Sequence, residues 1–328
     1  MRFGLMLPSY SFSDLDYDRS TRLRDFAVKA ETMGFEALWV AEHLLTAPGL
    51  YGTGWLSPLE TLCFAAGCTR RIKLATGILI LAIRNPVFMA KEIASLQYLS
   101  TGRFELGVGA GWDAHEFEVA GVKLSERGSR TDECLDVLQK LWTGDSITHH
   151  GRHYSFDGVT IEPRLPSRPF LWVAGGAKVK TSLSPDPETI APSVLDRICR
   201  RADGWLARAA GNNASVLSDW RIITNRLEQI GRPRNSLVFA HLNFAHVVPT
   251  DDDAAALREQ RPLFERVMGS HRSFDHLQGS YLMGSPRSIR ARIAELAEAG
   301  LEYLVLSPLD YDLGQLDLLE AEILRHFR

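Results

Sequence analysis

Gly102-Arg103-Phe104-Glu105-Leu106-Gly107-Val108-Gly109-Ala110-Gly111-Trp112 reads as a short buried strand that breaks into glycine at its C-terminal end. Glycine stands where backbone turns sharply or where another body lies against it, because no Cβ is in the way. A second strand, Lys73-Leu74-Ala75-Thr76-Gly77-Ile78, stops on similarly small residues, and one helix-sized segment separates the two. Two consecutive strands opening onto one floor point to a flat ligand laid across strand ends.

Working outward, strand and helix signals alternate along the whole chain. Strands are expected at 2–8, 36–41, 72–78, 103–109, 169–174, 203–207, 237–247 and 302–307. Most are apolar at successive positions, the mark of a parallel strand buried on both faces. Between them lie amphipathic segments. Asp18 to Gly34 and Ser285 to Gly300 both end on glycine, and the latter begins with a Ser cap and a first-turn proline. Arg127 to Trp142 repeats the apolar pattern. This alternation predicts an α/β fold, a (β/α)8 TIM barrel in one domain over 1–328. Insertion loops are expected after strands 2, 4 and 7, at 44–56, 145–168 and 248–283. The run Asp251-Asp252-Asp253 reads as a helix cap with first-turn acids. A doubly wound open sheet is the competing architecture. Against it, Gly107 to Gly111 spells GxGxG rather than GxGxxG and follows the fourth strand.

Composition narrows the function. The 328 residues carry 37 basic and 40 acidic side chains, a formal net charge of -3. That balance argues against nucleic acid, whose phosphates need a basic excess. No apolar run is long enough to span a membrane. The N-terminus lacks the features of a signal peptide. Cys63, Cys68, Cys134 and Cys199 form no CxxC pair and read as buried reduced thiols, which predicts a cytoplasmic protein. His149, His150 and His153 are the only close histidines, expected in a hairpin without carboxylate or thiolate neighbours, and no metal is assigned.

In a barrel, ligands sit over the C-terminal strand ends. The residues there include Pro8, Ser9, Glu42, His43, Thr76, Gly77, Ile78, Gly109, Gly111, Trp112, Gly175, Gly176, Trp205, His241 and Asn243. They lack the paired carboxylates of a glycosidase and the context of a Ser/His/Asp set. Such a pocket relies on a cofactor for its difficult step. His43 is the leading catalytic candidate, as a hydrogen-bond donor or proton shuttle; the alternative is a rim histidine that fixes the next loop. Glu42 reads as a salt-bridge or capping residue. Gly175-Gly176-Ala177 fits a phosphate through converging backbone N–H groups, followed by Lys178 and Lys180; a plain tight turn is the alternative. Trp55, Trp112 and Trp205 either frame an aromatic pocket or pack in the core.

Together these residues resemble the bacterial luciferase-like monooxygenase superfamily, and within it the deazaflavin (coenzyme F420)-dependent oxidoreductases. The matching text includes Gly34 to His43, Leu74 to Ile78, Arg84-Asn85-Pro86, Leu99 to Arg103, Leu106 to Trp112, Glu116-Phe117, Arg127 to Glu133 and Gly151 to Tyr154. The resemblance implies an oxidoreductase acting on a small organic substrate, with F420 over the strand ends and hydride transfer as the chemistry. The alternative it implies is FMN, supplied reduced by a separate flavin reductase, with oxygen activation. A non-catalytic flavin-binding protein is a further alternative. It also implies a homodimer or higher homo-oligomer, and a non-proline cis peptide at Gly77-Ile78. His43 matches the histidine that faces the reactive ring. Thr76, Gly77, Ile78, Gly109 and Gly111 match the ledge beneath it, and Gly175, Gly176 and Ala177 the phosphate loop. Two departures stand out. Trp112 occupies the position where sugar-phosphate dehydrogenases of the superfamily carry a catalytic glutamate. The proline-rich stretch 177–192 replaces a shorter helix entry.

Overall fold

The computed structural model describes residues 1–11, 19–46, 54–177, 189–209, 211–269 and 272–328. Eight parallel strands carry the fold: β1 (Arg2–Met6), β2 (Ala37–Val40), β3 (Lys73–Thr76), β4 (Phe104–Gly109), β5 (Leu171–Ala174), β6 (Gly204–Ala207), β7 (Val238–Ala245) and β8 (Tyr303–Pro308). They pair in the order β5-β6-β7-β8-β1-β2-β3-β4. β4 then pairs back onto β5, Leu106 beside Leu171, so the sheet closes into the expected barrel and the open sheet is excluded. Each strand lies within an apolar run of the sequence, because a strand covered by helices outside and side chains inside has no polar face to show.

One main helix follows each strand: α1 (Arg19–Thr32), α2 (Pro58–Cys68), α3 (Pro86–Leu99), α4 (Arg127–Thr143), α5 (Pro192–Arg201), α6 (Asn213–Gln229), α7 (Pro286–Glu298) and α8 (Leu313–Glu322). Local chemistry sets their starts. Asn85 caps α3 by accepting from the Val87 N–H, with Pro86 in the first turn. Ser285 caps α7 by accepting from the Ser288 N–H, again followed by proline.

The three insertions have form. Gly54–Trp55 pairs antiparallel with Tyr10–Ser11, which brings the loop after β2 back over the β1 exit; residues 47–53 of that loop lie outside the described residues. Ile147–His150 and Ser155–Val159 make the hairpin after α4. Glu133 of α4 pins it, accepting from the Tyr154 N–H at 3.0 Å with His149 Nε2 3.1 Å away. A carboxylate therefore does reach these histidines through space, yet no set of three metal-ligating side chains forms among the described residues. After β7 the chain makes two helices, Asp253–Met268 and Phe274–Ser280, and Asp252 caps the first as the acidic run predicted. Their periodicity was obscured because Gln260 sits on the buried face, bonded to the backbone of His246 and Gly284.

Below the strand exits the interior is filled by rings. Trp39 lies 5.4 Å from Trp172 and 5.9 Å from Tyr303, centroid to centroid. Gly4 and Gly204 give these rings their space. Trp172 Nε1 donates to Glu105 at 2.7 Å, and Lys73 pairs with the same carboxylate at 2.9 Å. Each ring pair adds about 0.5–1.5 kcal/mol beyond area burial. Two cysteine expectations need correction: Cys134 and Cys199 are buried, but Cys63 on the outer side of α2 is exposed and Cys68 half-buried. No helix among the described residues is long and apolar enough to cross a membrane.

Candidate active site

The β3 exit is where the barrel departs from regularity. Leu74 sits beside Phe104 and Ala75 beside Glu105, but beyond the break Leu79 sits beside Val108 and Ile80 beside Gly109. The exit thus holds one residue more than the strand it faces, the geometry of a bulge. Gly77-Ile78 lies within it and its peptide bond is cis, as the resemblance implied. Thr76 replaces the missing ladder bonds: its hydroxyl donates to the Gly107 carbonyl at 2.7 Å and accepts from the Gly107 N–H at 2.9 Å. The Thr76 carbonyl occupies the place a Cβ on residue 107 would take.

This geometry corrects part of the expected ledge. Thr76 is fully buried and its hydroxyl is engaged inside the wall. At Gly109 the absent side chain makes room for Ile78, and at Gly111 (φ +76°) for Phe117 and Ile80. These positions are small because the β3 exit packs on them, and they offer a ligand backbone only. Gly77 packs inward instead: a Cβ there would meet Trp39 at 3.0 Å, Leu242 at 3.6 Å and Met6 at 3.7 Å, above the ring-filled interior.

His43 stands at the neighbouring β2 exit, its side chain 12% exposed. Glu42 before it is buried, bonded to Arg84 and to the Ile80 N–H. Burial pushes the Glu42 carboxyl above its ordinary range despite the opposing Arg84 charge. Glu42 therefore ties the β2 exit to the β3 exit, in keeping with the salt-bridge reading. His43 Nδ1 lies 3.4 Å from Glu116 Oε1. Glu116, in the short helix Ala114–Val119 after β4, is almost fully buried and accepts from the backbone N–H of Leu44 at 2.7 Å and Leu45 at 3.3 Å. Burial raises its pKa, but the His43 imidazole and these two N–H groups outweigh it and hold the carboxyl below its ordinary range. The His43 ring lies 5.3 Å from that of Trp55 and 6.1 Å from that of Trp112. Loops following two strands, β2 and β4, thus meet around one imidazole. Just past the β1 exit, Ser9 is fully buried and its hydroxyl has no hydrogen-bond partner among the described residues.

Three residues expected at the rim are elsewhere. On β7 the interior is lined by Ala240, Leu242 and Phe244, so His241 and Asn243 face the helix layer, as alternation along a strand requires. Asn243 Nδ2 lies 3.0 Å from His241 Nε2 and donates to the Ser280 carbonyl at 3.1 Å. Burial pushes the His241 pKa down to about 4, with the Arg292 charge adding to it. Trp205 also points outward, stacked on Phe239 at 5.1 Å and parallel to Trp220 at 5.7 Å.

At the β5 exit, the Ala177 N–H donates to both carboxylate oxygens of Asp219, at 3.2 and 3.1 Å. Asp219 is buried in α6, and its Oδ2 lies 4.0 Å from Nη2 of Arg208. That carboxylate occupies the place a Gly176 side chain would need, and Val194 of α5 crowds the Gly175 position. Trp205 Nε1 donates to the Gly175 carbonyl at 2.7 Å. Lys178 and Lys180 lie outside the described residues. Glu116 and Asp219 are the buried carboxylates at these exits that sequence reasoning did not place.

A family model described as luciferase-like monooxygenase matches residues 1–303. An F420-dependent glucose-6-phosphate dehydrogenase of Kineococcus radiotolerans is 32% identical over 223 residues, covering 66% of this chain and 61% of that protein. The 4-hydroxyprotoasukamycin monooxygenase of Streptomyces nodosus subsp. asukaensis is 38% identical over 118 residues, 35% of this chain and 30% of that one. Among solved structures, an F420-dependent secondary alcohol dehydrogenase in complex with an F420-acetone adduct superposes with a TM-score of 0.79 at 18% identity, covering 100% of this chain and 99% of that one. The alignments span 42%, 48% and 61% of three curated relatives' own lengths.

Proposed function

We propose that this chain, which belongs to the luciferase-like monooxygenase family, is an oxidoreductase that uses coenzyme F420 to transfer hydride to or from a small organic substrate. The observation that carries the reading is His43, presented at a strand exit, backed by the buried Glu116 carboxylate and flanked by Trp55 and Trp112. The ring end fits a planar redox cofactor. Its walls are apolar, Gly77 packs against Trp39 and Leu242 without a side chain of its own, and the Ser9 hydroxyl is a buried polar atom without a partner among the described residues. When bound, the deazaflavin supplies the hydride.

The protein's own part is positional and protonic. A carboxylate beside Nδ1 favours the tautomer with hydrogen on Nδ1, so Nε2 is the atom at which His43 holds or moves a proton. The two tryptophans exclude water from the imidazole and hold its plane. Glu42 and Arg84 hold the β3 exit against β2. Trp112, half-exposed and apolar, stands where a sugar-phosphate enzyme would carry its acid, so the substrate is read as something other than a sugar phosphate.

FMN with oxygen chemistry and a separate reductase is the second reading, favoured by the local identity to the 4-hydroxyprotoasukamycin monooxygenase named above. The chain is further read as one barrel domain that works in the cytoplasm. Self-association is also proposed, through exposed apolar residues Phe64, Phe88, Tyr98 and Leu99 of α2 and α3. Titrating the purified protein with F420 and with FMN, followed by absorbance and fluorescence, tests the reading. Tight F420 binding supports it, tight FMN binding alone moves it to the second reading, and binding of neither rejects both.

A further inference from the structure

The β5-exit loop offers an anion the Ala177 N–H, and the protein has already placed an anion there. Asp219 accepts that N–H with both oxygens, is 2% exposed, and sits against Gly176 where no side chain would fit. Asp219 is also the one charged residue within the buried stripe of α6, among Asn213, Val216, Trp220, Ile223 and Leu227. Burying a carboxylate costs free energy unless it is paired and hydrogen-bonded. Ala177 and Arg208, with Nη2 4.0 Å away, supply part of that compensation. One N–H cannot serve two anions, and a second negative charge brought to the first is repelled.

We infer that Asp219 is an internal stand-in for phosphate that occupies the Gly175–Ala177 cradle in the resting protein and sets how tightly a phosphate-bearing ligand is held there. Loading the cradle requires the carboxylate to give up the Ala177 N–H, beside the Arg208 guanidinium 4.0 Å from it. The inference rests on the proposed function only for the identity of the phosphate bearer.

Asp219→Asn tests it, since the amide keeps an acceptor for Ala177 and removes the charge. Inorganic phosphate is the probe, read as the shift in thermal midpoint of wild type and variant, because a ligand that binds only the folded state raises it. The expected result is a phosphate-dependent rise for Asp219→Asn with little for wild type. Binding of F420 or FMN should tighten about tenfold, the change that about 1.4 kcal/mol of relieved repulsion produces. Identical phosphate responses in the two proteins overturn the inference. Gly176→Ala is the second variant, should Asp219→Asn fold poorly: its methyl displaces the carboxylate from the other side, and it too should gain a phosphate response. If phosphate separates variant from wild type while neither cofactor binds either protein, this inference stands and the proposed function falls.

Discussion

The β2 and β5 exits are built alike and work in opposite senses. At each, a buried carboxylate from a later helix reaches a group just past a strand end: Glu116 reaches His43, and Asp219 reaches the Ala177 N–H. Behind a titratable ring, the carboxylate fixes a tautomer and supports proton handling. Behind a backbone donor, the same group consumes the donor and opposes any second anion. The chemistry of a buried acid is thus set by what it touches, and a list of site residues without their partners misreads both exits.

The comparison can be broken most forcefully at His43. His43→Ala should lower turnover by about 10²–10⁴-fold, the range for a lost general acid–base group, while cofactor affinity stays within about threefold. A turnover loss under about tenfold would remove His43 from the chemistry. His241 is the control, a histidine buried without a carboxylate. Its folded pKa of about 4 lies below the unfolded value near 6.5. The unfolded chain then binds more protons, so stability present above pH 6.5 falls through that window and is lost below about 4. The expected loss is about 3 kcal/mol, absent from His241→Asn; parallel urea-denaturation curves from pH 7 to 4 would show it wrong.

Arg84→Met should cost roughly 2 kcal/mol of stability by leaving Glu42 buried without its cation, measured as a lowered denaturation midpoint with unchanged slope. An unchanged midpoint would mean that the pair is incidental. The smallest effect is expected from Glu116→Gln, about tenfold in turnover. Because Glu116 acts through His43, that loss should disappear in the His43→Ala background. Additive losses would show that Glu116 works by another route.

The barrel was legible because eight apolar runs spaced by amphipathic segments permit few other arrangements. The same continuity hid which side chains point inward. Along Val238–Ala245 every residue from Phe239 on is buried, so sequence could not place His241 and Asn243 on the helix side. His43 was legible because it ends a strand next to a loop. Glu116 was not, since a glutamate in the first turn of a helix also reads as an ordinary dipole partner, and its histidine lies 73 residues back along the chain, from 116 to 43. Asp219 did leave a trace, a carboxylate inside an apolar helical stripe, which calls for a buried partner.

The packed rings of Trp39, Trp172 and Tyr303 form a closed floor beneath the strand exits. Whatever settles deepest must enter first and depart last, and anything above it waits. With that floor closed, a ligand seated on the rings lies beneath any second one, so the steady-state kinetics of this protein should be those of an ordered queue.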